Sequence, residues 1–254
     1  MFAKKSLGQN FIHDVNFLKK LSSKIITNSK TKLIEIGPGK GALTKYLLKK
    51  KHNEIILIEK DNILIENLRF LSASNPKVTV KHLDALDFDL SDLKIKSNSI
   101  IVGNLPFNIS SQLLIKWITI KEWPPFYEKM YLMFQKELGE RIIAKHNTKS
   151  YGKISVIAQY RCHIKKLFKA PSDIFIPKPK VEGIVLEFTP HNNFKNVNFN
   201  KLNLLLKNAF QQRRKKIKSS LKMYSNHLIQ RNLNLDLRAE NLSVKEFCEI
   251  AKLI

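Results

Sequence analysis

The chain has 254 residues, 43% of them hydrophobic, enough for one large α/β domain or a medium domain with a small appendage. Its 45 lysines and arginines against 21 acidic residues give a net charge of +24, a balance that favours a polyanionic partner. No apolar run approaches the ~18–20 residues that span a bilayer, and the two distant cysteines, Cys162 and Cys248, exclude a disulfide framework or a cysteine-based metal cluster.

The amino terminus has neither an apolar signal core nor a small-residue cleavage site, so a soluble protein of a reducing, cytoplasmic compartment is expected. From there, apolar runs alternate with helical patterns as far as residue ~190, which predicts an α/β fold with a mainly parallel sheet. Strands are predicted at Lys32–Ile36, Glu54–Glu59, Val78–His82, Ser99–Gly103 and Met130–Phe134. Between and around them helices are predicted at Val15–Ile26, Ala42–Lys50, Asn62–Ser72, Ser110–Trp117, Lys136–Lys145 and near Ile154–Tyr160. Two further strands, about Lys165–Lys169 and Gly183–Phe188, read as an antiparallel hairpin at one edge, making seven in all. After the polar break Thr189-Pro190-His191-Asn192-Asn193 the pattern is purely helical: Leu202–Gln212, Ile217–Met223, His227–Leu233 and Val244–Ile254. Ser243 with Glu246 three residues on resembles a capping box for the last of these. The expected organisation is therefore a first domain over residues 1–190 and a small helical domain over 191–254.

Leu33-Ile34-Glu35-Ile36-Gly37-Pro38-Gly39-Lys40-Gly41 is a strand entering a glycine-rich turn ahead of a helix. Glycine lets the backbone adopt positive φ and approach a ligand closely. Glu59, ending the next strand, is placed to accept from two ribose hydroxyls. Gly37-x-Gly39-x-x-Ala42 also satisfies a permissive dinucleotide fingerprint, so the glycines alone leave a nicotinamide site open. The broader spacing Glu35-x-Gly37-x-Gly39-x-Gly41 suits an amino-acid moiety in place of a pyrophosphate. Asp84, after the third strand, is placed to accept from an adenine amine. Both point to S-adenosylmethionine; the alternative for Asp84 is a simple helix cap.

Asn104-Leu105-Pro106-Phe107-Asn108-Ile109-Ser110 follows the fourth strand directly. The Asn104 amide oxygen and the Leu105 carbonyl can accept from the amine of a flat ring, the proline fixes the turn, and Phe107 offers a stacking face. The amine of such a ring is a poor nucleophile because its lone pair is delocalised, so a tetrahedral nitrogen aimed at the methyl group is what such acceptors would favour. The base must be flipped or unpaired to reach them. Phe107 and Phe175 are the candidates for holding it between two faces, and core packing is the alternative for Phe175.

Residues 189–254 carry 13 Lys/Arg against 4 Asp/Glu, with no acidic residue between Thr189 and Leu235. Within them Arg213, Arg214, Lys215 and Lys216, with Lys218, place five positive charges in six residues. A solvated face is one reading; phosphate contacts that position the protein on RNA are the other.

Several segments, in order, carry a resemblance to the ribosomal RNA adenine N6-dimethyltransferase family, and within it to the bacterial small-subunit branch. They are Lys5-x-Leu7-Gly8-Gln9-Asn10-Phe11, Glu35-Ile36-Gly37-Pro38-Gly39, Asn104–Ser110, Gln135-Lys136-Glu137, Tyr151-Gly152-x-Ile154-Ser155, Pro171-Ser172-x-x-Phe175-x-Pro177-x-Pro179-Lys180-Val181 and Arg238–Ser243. The resemblance implies a Rossmann-like class I methyltransferase domain using S-adenosylmethionine and yielding S-adenosylhomocysteine. It implies cofactor contacts from Asn10, Ile12, Gly37, Glu59, Asp84 and Asn104. It also implies that the helical domain binds the small ribosomal subunit and that the substrate is two adjacent adenosines in the 3′-terminal hairpin of its RNA. The family commonly has leucine in place of Ile12 and tyrosine in place of Phe107; the second change removes a hydroxyl but keeps the ring. Three rival readings are a large-subunit RNA methyltransferase, an assembly factor without catalysis, and a nicotinamide-dependent oxidoreductase. The first shares the cofactor and Asn-Leu-Pro-aromatic motifs, the intact Asn104, Glu59 and Asp84 oppose the second, and the third has no use for the base pocket.

Overall fold

The structure, a computed structural model, describes residues 8–93, 95 and 98–254; Lys5 and Leu7 of the amino-terminal motif lie outside them. In chain order the strands are β1 Phe11–Ile12, β2 Lys32–Ile36, β3 Glu54–Glu59, β4 Val78–His82, β5 Ser99–Asn104, β6 Tyr127–Gln135, β7 Cys162–Ala170, β8 Phe175–Ile176 and β9 Gly183–Pro190. The helices are α1 Val15–Lys24, α2 Thr44–Leu47, α3 Asn62–Ala73, α4 Ser110–Ile118, α5 Lys136–Ile142, α6 Lys153–Arg161, α7 Phe199–Gln211, α8 Ile217–Ser220, α9 Ser225–Gln230 and α10 Val244–Leu253.

Seven strands form one sheet in the order β4-β3-β2-β5-β6-β9-β7. Its first five are parallel, β9 runs antiparallel to β6, and β7 lies beside β9 at the edge, where the hairpin of these two strands was expected. The parallel strands read as continuous apolar runs because both sheet faces are covered: Leu33, Ile34 and Ile36 of β2, Ile55–Ile58 of β3 and Ile100–Val102 of β5 are all buried. Asp14 starts α1 by accepting the Phe17 N–H at 2.6 Å, and Asp61 starts α3 by accepting the Ile63 N–H at 3.1 Å. A second, two-stranded sheet pairs β1 antiparallel with β8, Phe11 opposite Ile176 and Ile12 opposite Phe175. Strands of two residues carry no periodicity, and the sequence pattern did not anticipate them.

The chain divides into two compact units. One contains the residues up to Trp117, Pro124–Gly139 and Lys165–Pro190; the other contains Ile118–Trp123, Glu140–Ile164 and His191–Ile254. The expected break after Pro190 is thus one junction of several, and the helical unit also takes in α6. Ser155, Val156, Ile157, Ala158 and Tyr160 of α6 are buried, and the helix packs on α7 and α10. A helix apolar on most of its faces needs such neighbours on more than one side. Within this unit α7 buries Leu202, Leu205, Leu206 and Ala209, and Phe210 meets Phe247 of α10 at 5.6 Å between ring centres. Ser243 and Glu246 form the expected capping box, with the Ser243 N–H on Glu246 Oε2 at 2.7 Å and the Glu246 N–H on Ser243 Oγ at 3.2 Å.

Candidate active site

Strand order reverses between β2 and β5, and open α/β sheets bind ligands outside the carboxyl ends of their strands at such a switch point. Register puts Ile36 opposite Gly103 and Glu59 opposite His82, so Gly37, Glu59, Asp84 and Asn104 all emerge at the same end. Around them lies a cavity of about 320 Å³, a size that suits a small organic ligand. Asn10, Ile12, Gly37, Glu59, Asp84, Asn104, Leu105 and Phe107 all line it.

The glycine loop is held from both sides. Gly37 has φ +64° and donates its N–H to the Ile58 carbonyl at 2.9 Å. Gly39 has φ +59° and donates to Glu59 Oε2 at 3.1 Å, while a Cβ there would meet two Phe11 ring carbons at 3.0 Å. Glu59, 7% exposed, also accepts the Lys60 and Asp61 N–H groups on Oε1, each at 2.9 Å. A carboxylate has about four acceptor positions. Three are taken by backbone N–H groups, two at Oε1 and one at Oε2. Burial raises the Glu59 carboxyl above its usual range, opposed by those three backbone N–H groups. At Asp84, Oδ1 accepts the Leu86 N–H at 2.9 Å and Oδ2 pairs with the Lys60 ammonium, so capping a turn and facing the cavity are compatible. Burial works to raise the Asp84 carboxyl, but Lys60 and the Leu86 N–H hold it below the usual range.

Residues 8–13 form a strap beside the cavity. Gln9 Nε2 donates to Asp61 Oδ2 at 2.8 Å, the His13 N–H reaches the Ile174 carbonyl at 3.0 Å, and Lys40 places its ammonium over the Phe11 ring. Asn104 Nδ2 donates to the Asn10 carbonyl at 2.8 Å. That bond assigns the amide orientation and leaves Oδ1 as the group's acceptor. Gln9, Phe11, Lys40 and Lys60 join the site without having been picked out as site residues in the sequence; only their adjacency to Asn10, Gly39 and Glu59 hinted at them.

Phe107 is half-buried at the cavity wall, but Phe175 is only 1% exposed and belongs to the hydrophobic core. Their rings meet edge to face at 6.4 Å and 71°. A base is not held between parallel faces in this arrangement, so the stacking expected of Phe175 is replaced by packing behind Phe107. The cause is the β1–β8 pairing, which sets Phe175 opposite Ile12 and turns it inward.

Glu35 is buried at the end of β2, accepts the Thr44 hydroxyl at 2.7 Å, and has its pKa raised from 4.5 to about 7 by burial, with Glu59 adding repulsion. Between those pH values the folded chain holds a proton that the unfolded chain has released. Stability from this group is therefore complete below pH 4.5 and lost as pH rises through about 7. Chemical denaturation across that window should show Glu35→Gln sparing about 3 kcal/mol of the decline seen in the unsubstituted protein. An unchanged decline would show that Glu35 is ionised throughout.

A family model described as ribosomal RNA adenine dimethylase matches residues 2–254. The chain belongs to that family. Among its relatives is the ribosomal RNA small subunit methyltransferase A of Bartonella tribocorum, 40% identical over 99% of this chain and 93% of that protein. The protein of the same name from Chelativorans sp. is 37% identical over 99% and 93%. A dimethyladenosine transferase from Plasmodium falciparum shares the fold with a TM-score of 0.80 at 22% identity, covering 94% of this chain and 95% of that one. The 23S rRNA methyltransferase ErmE shares it with a TM-score of 0.70 at 17% identity, covering 96% and 98%. As a member of the dimethylase family, the protein is an S-adenosylmethionine-dependent methyltransferase with the Rossmann-like α/β fold expected from its sequence.

In this dimethylase the basic run lies on the turn between α7 and α8, within the helical unit. Arg213 Nη2 donates to the Lys149 and Tyr151 carbonyls, each at 2.8 Å, and to Glu240 at 3.2 Å. Lys216 pairs with Asp236 at 3.0 Å. Arg214 and Lys215 are exposed and form no side-chain hydrogen bond or ion pair among the described residues. The four residues expected to act together on phosphate therefore separate: Arg213 ties the unit together, Lys216 is shared with a surface carboxylate, and Arg214 with Lys215 face solvent.

Proposed function

We propose that the protein transfers methyl groups to the N6 amino groups of two adjacent adenosines in the 3′-terminal hairpin of small-subunit ribosomal RNA. It acts as a cytoplasmic monomer on the immature subunit. The observation that carries the reading is the fixed Asn104 amide, its nitrogen on the Asn10 carbonyl and its oxygen left to accept, at the strand end next to the Gly37–Gly41 loop. The names of the small-subunit relatives support the choice of RNA over the large-subunit alternative, which the shared fold alone does not distinguish.

S-adenosylmethionine supplies the activated methyl group. The residues present fit it: two positive-φ glycines open the loop, Glu59 Oε2 has one acceptor position for a ribose hydroxyl, and Asp84 has one on each oxygen for the adenine edge. Asn10 and Ile12 close the wall. On the acceptor side, Asn104 Oδ1 and the Leu105 carbonyl accept hydrogen bonds from the two N–H groups, favour a tetrahedral nitrogen and aim its lone pair. Phe107 supplies one stacking face, worth on the order of 1–3 kcal/mol, and Phe175 braces it. Alignment in a preorganised site provides the acceleration. No strong base is required, because the nitrogen's proton becomes acidic once the methyl has transferred and leaves to water.

Incubation with labelled S-adenosylmethionine should methylate small subunits that lack the modification and leave large subunits unlabelled. Label confined to large subunits would overturn the choice of RNA. On the RNA side, Arg214→Ala/Lys215→Ala should weaken subunit binding and lower its logarithmic salt slope by about 1.5. Arg213→Ala should act differently, costing about 1–2 kcal/mol of folding stability through its lost bonds to Lys149 and Tyr151. An unchanged slope in the double variant would remove this turn from the RNA contact.

A further inference from the structure

Lys60 touches both carboxylates assigned to the cofactor. Its backbone N–H donates to Glu59 Oε1 at 2.9 Å, and its ammonium pairs with Asp84 Oδ2. The Leu86 N–H holds the other Asp84 oxygen at 2.9 Å, so the carboxylate is clamped from both ends and keeps one acceptor position on each oxygen. The Lys60 side chain is 58% exposed and that of Asp84 16%. An ion pair with so open a cation adds little to folding stability, and the Lys60 chain also lines the cavity. Its backbone is fixed in turn, the carbonyl meeting His82 Nε2 at 3.1 Å.

We propose that Lys60 is a positioning residue for adenine recognition: by clamping Asp84 it sets the carboxylate to accept the exocyclic amine of the cofactor, and so helps the site distinguish adenine from purines that lack that amine. The assignment rests on the reading of the cavity as an S-adenosylmethionine site. The ammonium supplies orientation and charge, while the methylene stem supplies part of the apolar wall. Lys60→Met keeps an unbranched stem and removes the charge; Lys60→Arg keeps the charge.

Calorimetry with S-adenosylhomocysteine and with its analogue lacking the 6-amino group separates these contributions. Lys60→Met should bind S-adenosylhomocysteine about three- to tenfold more weakly, less than about 1.4 kcal/mol, bind the deamino analogue as the unsubstituted protein does, and raise KM for the methyl donor with kcat unchanged. Lys60→Arg should restore most of the discrimination. Equal weakening for both ligands would reduce Lys60 to a wall contact and overturn the assignment. Unchanged or tighter binding of S-adenosylhomocysteine would also overturn it, the latter because the ammonium would then be competing with the adenine amine. If the unsubstituted protein binds neither ligand, the cofactor reading itself falls and the Lys60 assignment with it.

Discussion

Asn104→Ala is expected to lower methyl transfer by about 10²–10³-fold, the usual cost of deleting one preorganised polar group aimed at the reacting atom. The change removes the acceptor that shapes the adenine nitrogen and the donor that meets the Asn10 carbonyl at 2.8 Å. Cofactor affinity should fall far less, because Glu59 and the glycine loop are held by bonds that Asn104 does not make. Asn104→Asp is the informative companion. It keeps the size but replaces the donating nitrogen with a second acceptor facing a carbonyl, so it should also lose transfer. Single-turnover rates beside S-adenosylhomocysteine titrations check both, and near-normal rates in Asn104→Ala would place the reacting centre elsewhere.

The second large effect is expected at Gly39. An L-residue at φ +59° costs about 1–2 kcal/mol, and its Cβ would stand 3.0 Å from two carbons of the Phe11 ring. Phe11 cannot retreat freely, since β1 pairs with β8 and the Lys40 ammonium lies over its ring. Gly39→Ala should therefore displace the loop or the strap and weaken cofactor binding by tenfold or more, on the order of 1.4 kcal/mol. Gly152→Ala is the control: that Cβ meets nothing within 4 Å, and φ is an extended −168°. Its binding should be unchanged. Equal affinity in the two variants would mean that the loop tolerates a side chain and is not the close-approach surface proposed.

Continuous apolar runs made the parallel strands legible: β2, β3 and β4 begin and end where their patterns do, and β5 and β6 extend one to four residues further. The glycine loop, Glu59, Asp84 and the turn after Asn104 were legible because each follows a strand end, and parallel strands bring their carboxyl ends together. What was hidden depends on distant pairing. The side-chain direction of Phe175 is set by its partner Ile12, 163 positions away along the chain, so an aromatic in the core reads like an aromatic in a stack. Arg213 sits in a basic run whose composition says phosphate, yet two carbonyls and Glu240 claim its guanidinium. The helix expected over Ile217–Met223 breaks after Ser220 into a short 3-10 turn, where Leu221 packs fully buried. The position of Glu59 at the strand end is legible from its pattern, but its sharing by the Gly39, Lys60 and Asp61 N–H groups is visible only in the structure.

The central claim is that this cavity joins a methyl donor to the amino group of adenine in small-subunit RNA. Mass spectrometry of nuclease digests from unmethylated small subunits, after reaction with the purified protein and S-adenosylmethionine, tests it most directly. The account predicts N6,N6-dimethyladenosine at two adjacent positions near the 3′ end, absent with Asn104→Ala. Methylation at a ring nitrogen, at a ribose or at a base other than adenine would contradict it.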